Sequence, residues 1–130
     1  HIKLSKMRTY VLFIIDINDF KNINDKKGHT HGDFYLKEIG KILKIVFSHN
    51  AQVFRFGGDE FSVILSMKPD DIIDGYTGKL NSILKSRKLE DAGFPDIAVG
   101  YSILESGVTA REAIDMADSN MYKNKRAKSN

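Results

Sequence analysis

Two glycines followed by two acids, Gly57-Gly58-Asp59-Glu60, stand between two short apolar runs, and this arrangement constrains the chain more than any other. Val53-Phe54-Arg55-Phe56 precedes it and Phe61-Ser62-Val63-Ile64-Leu65 follows. Both runs are rich in β-branched and aromatic residues, the composition of strands. Paired glycines between two strands mark a tight hairpin. The hairpin, read as Gln52 to Ser66, then carries adjacent carboxylates at its tip. Glycine plus acid is also ordinary turn chemistry. Paired glycines, paired acids and apolar flanks together suit a site where metal ions and phosphates come close to backbone.

A chain of 130 residues can bury one domain-sized core. Its 42% hydrophobic and 28% charged residues are those of a globular protein. No apolar run has membrane-spanning length and no signal-peptide pattern is present, so direct membrane contact is not expected. With no cysteine, disulfides and thiolate metal sites are excluded. The net charge of +3 is mild. Its densest part, Lys123-Asn124-Lys125-Arg126-Ala127-Lys128, reads either as a solvated helix end, where cations suit the macrodipole, or as a phosphate contact. No aromatic residues interleave it in a stacking pattern, so nucleic acid is not the expected partner. The chain opens at His1 and ends in a polar tail, and residues 1–130 are expected to form a single domain cut from a longer protein.

Tyr10-Val11-Leu12-Phe13-Ile14-Ile15 is continuously apolar, the pattern of a central strand buried on both faces. Asp16 would lie at its C-terminal end, where α/β-type sheets commonly place ligands. A short helix is expected to start near Asp19. Gly28 to Asp33 reads as a two-glycine loop. Leu36, Ile39, Leu43, Val46 and Phe47 recur at helical spacing, giving a second helix to about Ser48. Pro69-Asp70-Asp71 opens a third, with Ile72, Tyr76, Leu80, Ile83 and Leu84 as its buried stripe. Ile97 to Leu104 reads as a fourth strand. Thr109-Ala110-Arg111-Glu112 fits a capping box for a last helix, packed through Ala113, Ala117 and Met121. The order βααββαβα points to an α/β (α+β) domain, one mixed sheet with helices packed against it.

If the hairpin lies beside the first strand, Asp16 and Asp59 converge. Hard carboxylate oxygens suit Mg²⁺, commonly held by one or two carboxylates plus substrate phosphates. Two such ions could clamp the attacking and leaving oxygens of a nucleotidyl transfer. Glu60 adds a third acid, and converging like charges call for a cation. Asp16 could instead cap the helix that follows. In that helix, free N–H groups at its start and Lys21 could hold phosphate oxygens. Asn24 and Asp33 offer an amide and a carboxylate, a pair able to read guanine's N–H donors and O6 acceptor, although Asn24-Asp25 also fits a helix-end cap. His29 and His31, in a glycine loop, are poor candidates for metal ligands.

Asp16-Ile17-Asn18-Asp19-Phe20-Lys21-Asn22-Ile23-Asn24-Asp25, Gly28-His29, Gly32-Asp33 and Arg55-Phe56-Gly57-Gly58-Asp59-Glu60-Phe61 resemble, in order and spacing, the GGDEF family of diguanylate cyclase catalytic domains. Ala117-Asp118, Tyr122 and Lys125 resemble its closing helix motif. The resemblance implies a ferredoxin-like, palm-type nucleotidyl cyclase core. It implies condensation of two GTP into cyclic di-GMP across a homodimer of two such domains, with Mg²⁺, or Mn²⁺ in its place. Asp16, the Ile17 carbonyl and Asp59 would hold metal. Asp59 and Glu60 would be the catalytic acids, Glu60 assisting metal binding or deprotonation of the hydroxyl. Asn24 and Asp33 would bind guanine. Asp19, Phe20, Lys21 and Lys125, with the backbone of Gly57 and Gly58, would receive the phosphates. Such a domain works in the cytoplasm, whether or not its parent protein is membrane-anchored.

Several positions depart from that pattern. Asn18 stands where the family usually has a second aspartate, and Ser129 where a phosphate-binding arginine is usual, with Lys128 beside it. Ser48 and Ala51 replace the Arg-x-x-Asp of the inhibitory product site. The usual N-terminal elements are not visible in His1 to Thr9. These departures motivate an alternative, a catalytically weak GTP-binding regulatory module.

Overall fold

The computed structural model describes residues 8–129. Four strands and four helices alternate as β1 (Thr9–Ile17), α1 (Phe20–Lys27), α2 (His29–Val46), β2 (Ala51–Phe56), β3 (Glu60–Met67), α3 (Ile73–Glu90), β4 (Ile97–Leu104) and α4 (Ala110–Ser129). This is the expected element order. The strands form one sheet in the order β2-β3-β1-β4. The expected mixed sheet is antiparallel at every junction: β1 with β3, β1 with β4, and β2 with β3. The physical reason is the crossovers. Each helical connection returns the chain parallel but skips one position, and an antiparallel strand fills it. The result is the ferredoxin-like arrangement.

β1 is buried on both faces, as its continuous apolar run requires. Val11, Phe13, Ile15 and Ile17 point into a core closed by Tyr35, Ile39, Leu43 and Leu80 from α2 and α3. Leu12 and Ile14 point the other way, against Ala113, Ala117 and Met121 of α4. The small face of α4 is therefore core. Gly100 makes its approach possible, because a Cβ there would run into the backbone of Ala117 and Met121. The α4 capping box forms in both directions. Glu112 N–H donates to Thr109 Oγ1 at 3.1 Å, and Thr109 N–H to Glu112 Oε1 at 3.2 Å.

Two helix starts differ from expectation. α2 begins at His29, so Gly28 to Asp33 is mostly helix. Gly28, at φ 90, is the break between α1 and α2, whereas Gly32 is a packing glycine whose missing Cβ leaves room for the Asn24 amide and the Phe20 ring. α3 begins at Ile73, and Ile73 packs against the core while Ile72 is exposed. Pro69 to Asp71 form a turn ahead of it, in which Asp71 Oδ2 accepts the Lys68 N–H at 3.0 Å. Residues 1–7 and the side chains of Lys128 and Ser129 lie outside the described residues.

Candidate active site

Strand register assembles the acids. Asp16 is opposite Glu60 in the β1–β3 ladder, and Phe56 is opposite Glu60 in the β2–β3 ladder. Residues 57–59 form the turn between them, with Gly57 at φ +60, a conformation open to glycine. The Ile17 N–H donates to the Asp59 carbonyl at 3.0 Å, which ties the turn to the end of β1. The Gly58 carbonyl accepts from the Arg55 guanidinium at 3.1 Å. Asp59 is thus the last turn residue and Glu60 the first of β3, rather than both sitting at the tip. Both are half-buried beside Asp16.

A cation from α4 reaches into this group. Lys125 Nζ on α4 donates to Asp16 Oδ2 at 3.0 Å. The Asp16 side chain is therefore engaged across the sheet and does not cap α1. Burial pushes the Asp59 carboxyl above the usual range, and the Asp16 charge pushes it further, partly offset by Lys125. Glu60 is raised too, first by burial and then by Asp118, Asp16 and Asp59. Lys125 is raised chiefly by its bond to Asp16. Asp118 of α4 is a member of the cluster that residue types alone did not mark. Its signal was its place one turn before Tyr122 and two turns before Lys125 on the same helix.

The phosphate candidates follow directly. Asp19 caps α1 in the left-handed region, φ 54, without a side-chain cap bond. The N–H groups of the first helical turn have no intrahelical partner, so those at Phe20 and Lys21 remain available to an anion. The preceding Asn18 N–H is fixed by the Asp96 carbonyl at 2.9 Å. This backbone role could not be read from side-chain types.

The base-reading candidates occupy the facing ends of α1 and α2. The Asn24 carbonyl takes the Gly28 N–H at 2.8 Å, so its backbone closes α1. Its side-chain Oδ1 is buried with no protein partner, and Gly32 packs on that amide. Asp33 is exposed and opens onto a cleft of about 530 Å³ between α2 and β2, together with Leu36, Lys37, Arg55 and Phe61. His31 is held by Tyr35 rather than by any acid of the site.

Among the described residues, no three His, Cys, Asp or Glu side chains are arranged to hold a metal ion by themselves. Two crowded carboxylates plus a backbone carbonyl would need substrate phosphates to complete a shell, which is the way Mg²⁺ is commonly held. Converging carboxylates are relieved by a bound cation, and Lys125 already meets one of them at Asp16, so the donor set fits a hard divalent ion.

Residues 2–130 match the family described as diguanylate cyclase, GGDEF domain. This chain belongs to the GGDEF family. It is 29% identical over 124 residues to diguanylate cyclase A of Treponema denticola, covering 92% of this chain and 33% of that protein. It is 35% identical over 118 residues to the probable diguanylate cyclase DgcI of Escherichia coli, covering 88% of this chain and 25% of that one. The chain thus spans no more than a third of the length of these curated relatives. The fold is that of the GGDEF domain of DgcB from Caulobacter crescentus, solved in complex with c-di-GMP, with a TM-score of 0.80 at 24% identity, covering 92% of this chain and 74% of that one. The ferredoxin-like reading of the sequence and the resemblance on which it rested are both borne out. The family to which the chain belongs generally uses a divalent metal.

Proposed function

We propose that this GGDEF domain is the catalytic part of a diguanylate cyclase, condensing two GTP into one cyclic di-GMP and two pyrophosphates. The observation that carries the reading is the convergence of Asp16, Asp59 and Glu60 beside the uncapped start of α1. Packing alone gives no reason to bury three acids together.

The residues divide the work as follows. Asn24 and Asp33 hold guanine, the Asn24 Oδ1 gaining a donor it lacks within the protein. The N–H groups at Asp19, Phe20 and Lys21, with the Lys21 and Lys125 ammonium groups, hold the β- and γ-phosphates. Gly57 and Gly58 let phosphate approach the backbone of the turn. Asp16, the Ile17 carbonyl and Asp59 would hold Mg²⁺ or Mn²⁺, which when bound neutralises charge on the transferring phosphoryl group. Glu60, with its proton affinity raised by burial and neighbouring acids, is suited to accept the proton of a 3′-hydroxyl. Each domain presents one GTP, and a second copy in antiparallel orientation brings the other hydroxyl in line with the α-phosphate.

One feature favours a second reading, a GTP-binding regulatory module with little turnover. Asn18 replaces the usual aspartate, and its Oδ1 is buried without a partner. The domain is proposed to be one unit of a longer protein and to act on the cytoplasmic side, where GTP is made available. Among the described residues no helix is long and apolar enough to cross a membrane.

The test is product analysis with GTP and Mg²⁺ over a range of protein concentrations. Cyclic di-GMP rising more steeply than linearly with protein supports the cyclase and its dimer. GTP binding without product at any concentration supports the regulatory module. Asp59→Ala should abolish product while leaving the fold intact; full activity in that variant removes Asp59 from the metal site.

A further inference from the structure

A buried polar cluster lies behind the site and takes no part in the chemistry above. Tyr35 of α2 is fully buried, yet its hydroxyl has partners on both sides. The hydroxyl donates to Asp91 Oδ2 at 2.8 Å, and His31 Nε2 lies 3.1 Å from the hydroxyl oxygen itself. A hydroxyl has one proton; with that proton on Asp91, His31 must donate from Nε2. Asp91 Oδ1 takes the Gly93 N–H at 3.0 Å. Phe94 packs edge-on to the Tyr35 ring at 5.3 Å, and Lys27 Nζ sits 5.9 Å from its centroid. Burial first, then the bond to Asp91, pushes the Tyr35 hydroxyl up to about 12, so it stays a donor.

The two ends of this cluster lead to the two halves of the site. On one side, His31 is followed by Gly32, which packs on the Asn24 amide, and by Asp33, which opens onto the cleft. On the other side, residues 91–96 run from Asp91 to Asp96. The Asp96 carbonyl fixes the Asn18 N–H, and its carboxylate is held by Lys88 at 2.7 Å. Asn18 stands between Ile17 and Asp19, the metal-facing and phosphate-facing backbone.

We propose that the Tyr35 hydroxyl is a positioning group that joins His31 to Asp91 and so sets the base-reading turn against the loop that fixes Asn18. A merely space-filling residue would be better served by phenylalanine, which keeps the ring contacts and needs no polar partners. The hydroxyl costs desolvation and is retained in a geometry that satisfies both lone pair and proton. The proposal rests on the reading of Asn24 and Asp33 as guanine ligands, so its test has one arm that needs no nucleotide.

Tyr35→Phe, made in the full chain, is read in two ways. By hydrogen exchange without metal or nucleotide, the Asn18 amide should exchange about tenfold faster while Val63 and Leu65 keep their protection. With a non-hydrolysable GTP analogue and Mg²⁺, Kd should rise about fivefold to tenfold. In turnover the change should fall on KM rather than kcat. His31→Leu, at a half-buried position, should reproduce both effects, and His31→Gln, whose amide can donate to the Tyr35 oxygen, should restore most of the loss. Wild-type exchange at Asn18 in both Tyr35→Phe and His31→Leu overturns the proposal. If the wild-type protein binds no guanine nucleotide, the reading of Asn24 and Asp33 fails, and the exchange arm alone decides whether Tyr35 positions the loop.

Discussion

Lys125 Nζ lies 3.0 Å from Asp16 Oδ2, and this contact joins the last helix to the end of the central strand. It places one ammonium where three carboxylates converge. The ammonium is bonded to Asp16 and also offsets part of the charge acting on Asp59, and Asp16 is one of the carboxylates proposed to hold metal.

Lys125→Met therefore has a readable consequence for metal binding. The variant loses the compensating charge and should melt a few degrees lower without metal, a modest effect because the pair is partly exposed to water. Adding Mg²⁺ should raise its melting temperature more than it raises that of the wild type, since the ion no longer competes with an ammonium for Asp16. Turnover should fall at least tenfold through loss of the phosphate contact. Equal Mg²⁺-induced shifts in both proteins would separate Lys125 from the metal site.

The raised carboxyls give a pH dependence with a definite sign. Asp59 and Glu60 hold their protons more tightly in the fold than in the unfolded chain, whose values are near 3.8 and 4.5. Their contribution favours the fold fully below those values and is lost as pH rises through the higher folded ones. Glu38 and Asp91, lowered chiefly by Arg87 and by Tyr35, act in the opposite sense below the usual carboxylate range. The acids of the site are isolated by comparison with Glu60→Gln. In metal-free urea titrations this variant should gain stability over the wild type as pH rises from 4 to 7, and the gain should shrink with saturating Mg²⁺. A stability difference independent of pH would show that Glu60 is not strained by its neighbours.

Gly32 offers a way to perturb base reading without touching a ligand. A Cβ at this position would meet the Asn24 amide oxygen and the Phe20 ring. Gly32→Ala should push Asn24 aside and weaken GTP binding roughly tenfold, about 1.4 kcal/mol. Asp33→Asn should weaken GTP binding by a similar or larger factor while improving the relative binding of ATP, since it replaces an acceptor with a mixed donor and acceptor. Calorimetric titration with both nucleotides checks the pair. If Gly32→Ala leaves GTP affinity unchanged, Asn24 does not contact the base.

Much of this architecture was legible because hydrophobic pattern and burial coincide. The continuous run in β1 required two covered faces, and Thr109 to Glu112 announced a helix start that forms as written. The misread points share a cause. Gly28 and Gly32 look alike in sequence, but one supplies a positive φ and the other an absent Cβ, and only the packing of α1 on α2 distinguishes them. Ile72 and Ile73 are adjacent apolar residues, and the point after Pro69-Asp70-Asp71 at which α3 starts decides which is buried. At the site, Asp16 and Glu60 could be found by chemistry. The Asp96 carbonyl and the Asn18 N–H could not, because any residue provides those groups.

Gly100 connects fold and site most directly. α4 lies against β4 closely enough that an added Cβ would overlap the backbone of Ala117 and Met121. Backbone cannot swing aside as a long side chain can, so α4 must lift from the sheet. Gly100→Ala should cost about 1–3 kcal/mol, the range for forcing extra volume into packed core. The melting temperature should fall by several degrees for a domain of this size. The displacement also acts on chemistry, because Lys125 and Asp118 ride on the same helix. Where the variant is still folded, turnover should drop by more than the small unfolded fraction explains, and raised Mg²⁺ should recover part of it by replacing the withdrawn ammonium. Asn124 gives an internal check, since its amide donates to the Val99 carbonyl at 2.6 Å on the same interface. Asn124→Ala removes one bond without forcing the helix outward, so it should lower stability with little effect on turnover per folded molecule. If the two variants lose turnover in proportion to stability alone, α4 supports the site only as part of the core and the placement of Lys125 is not critical.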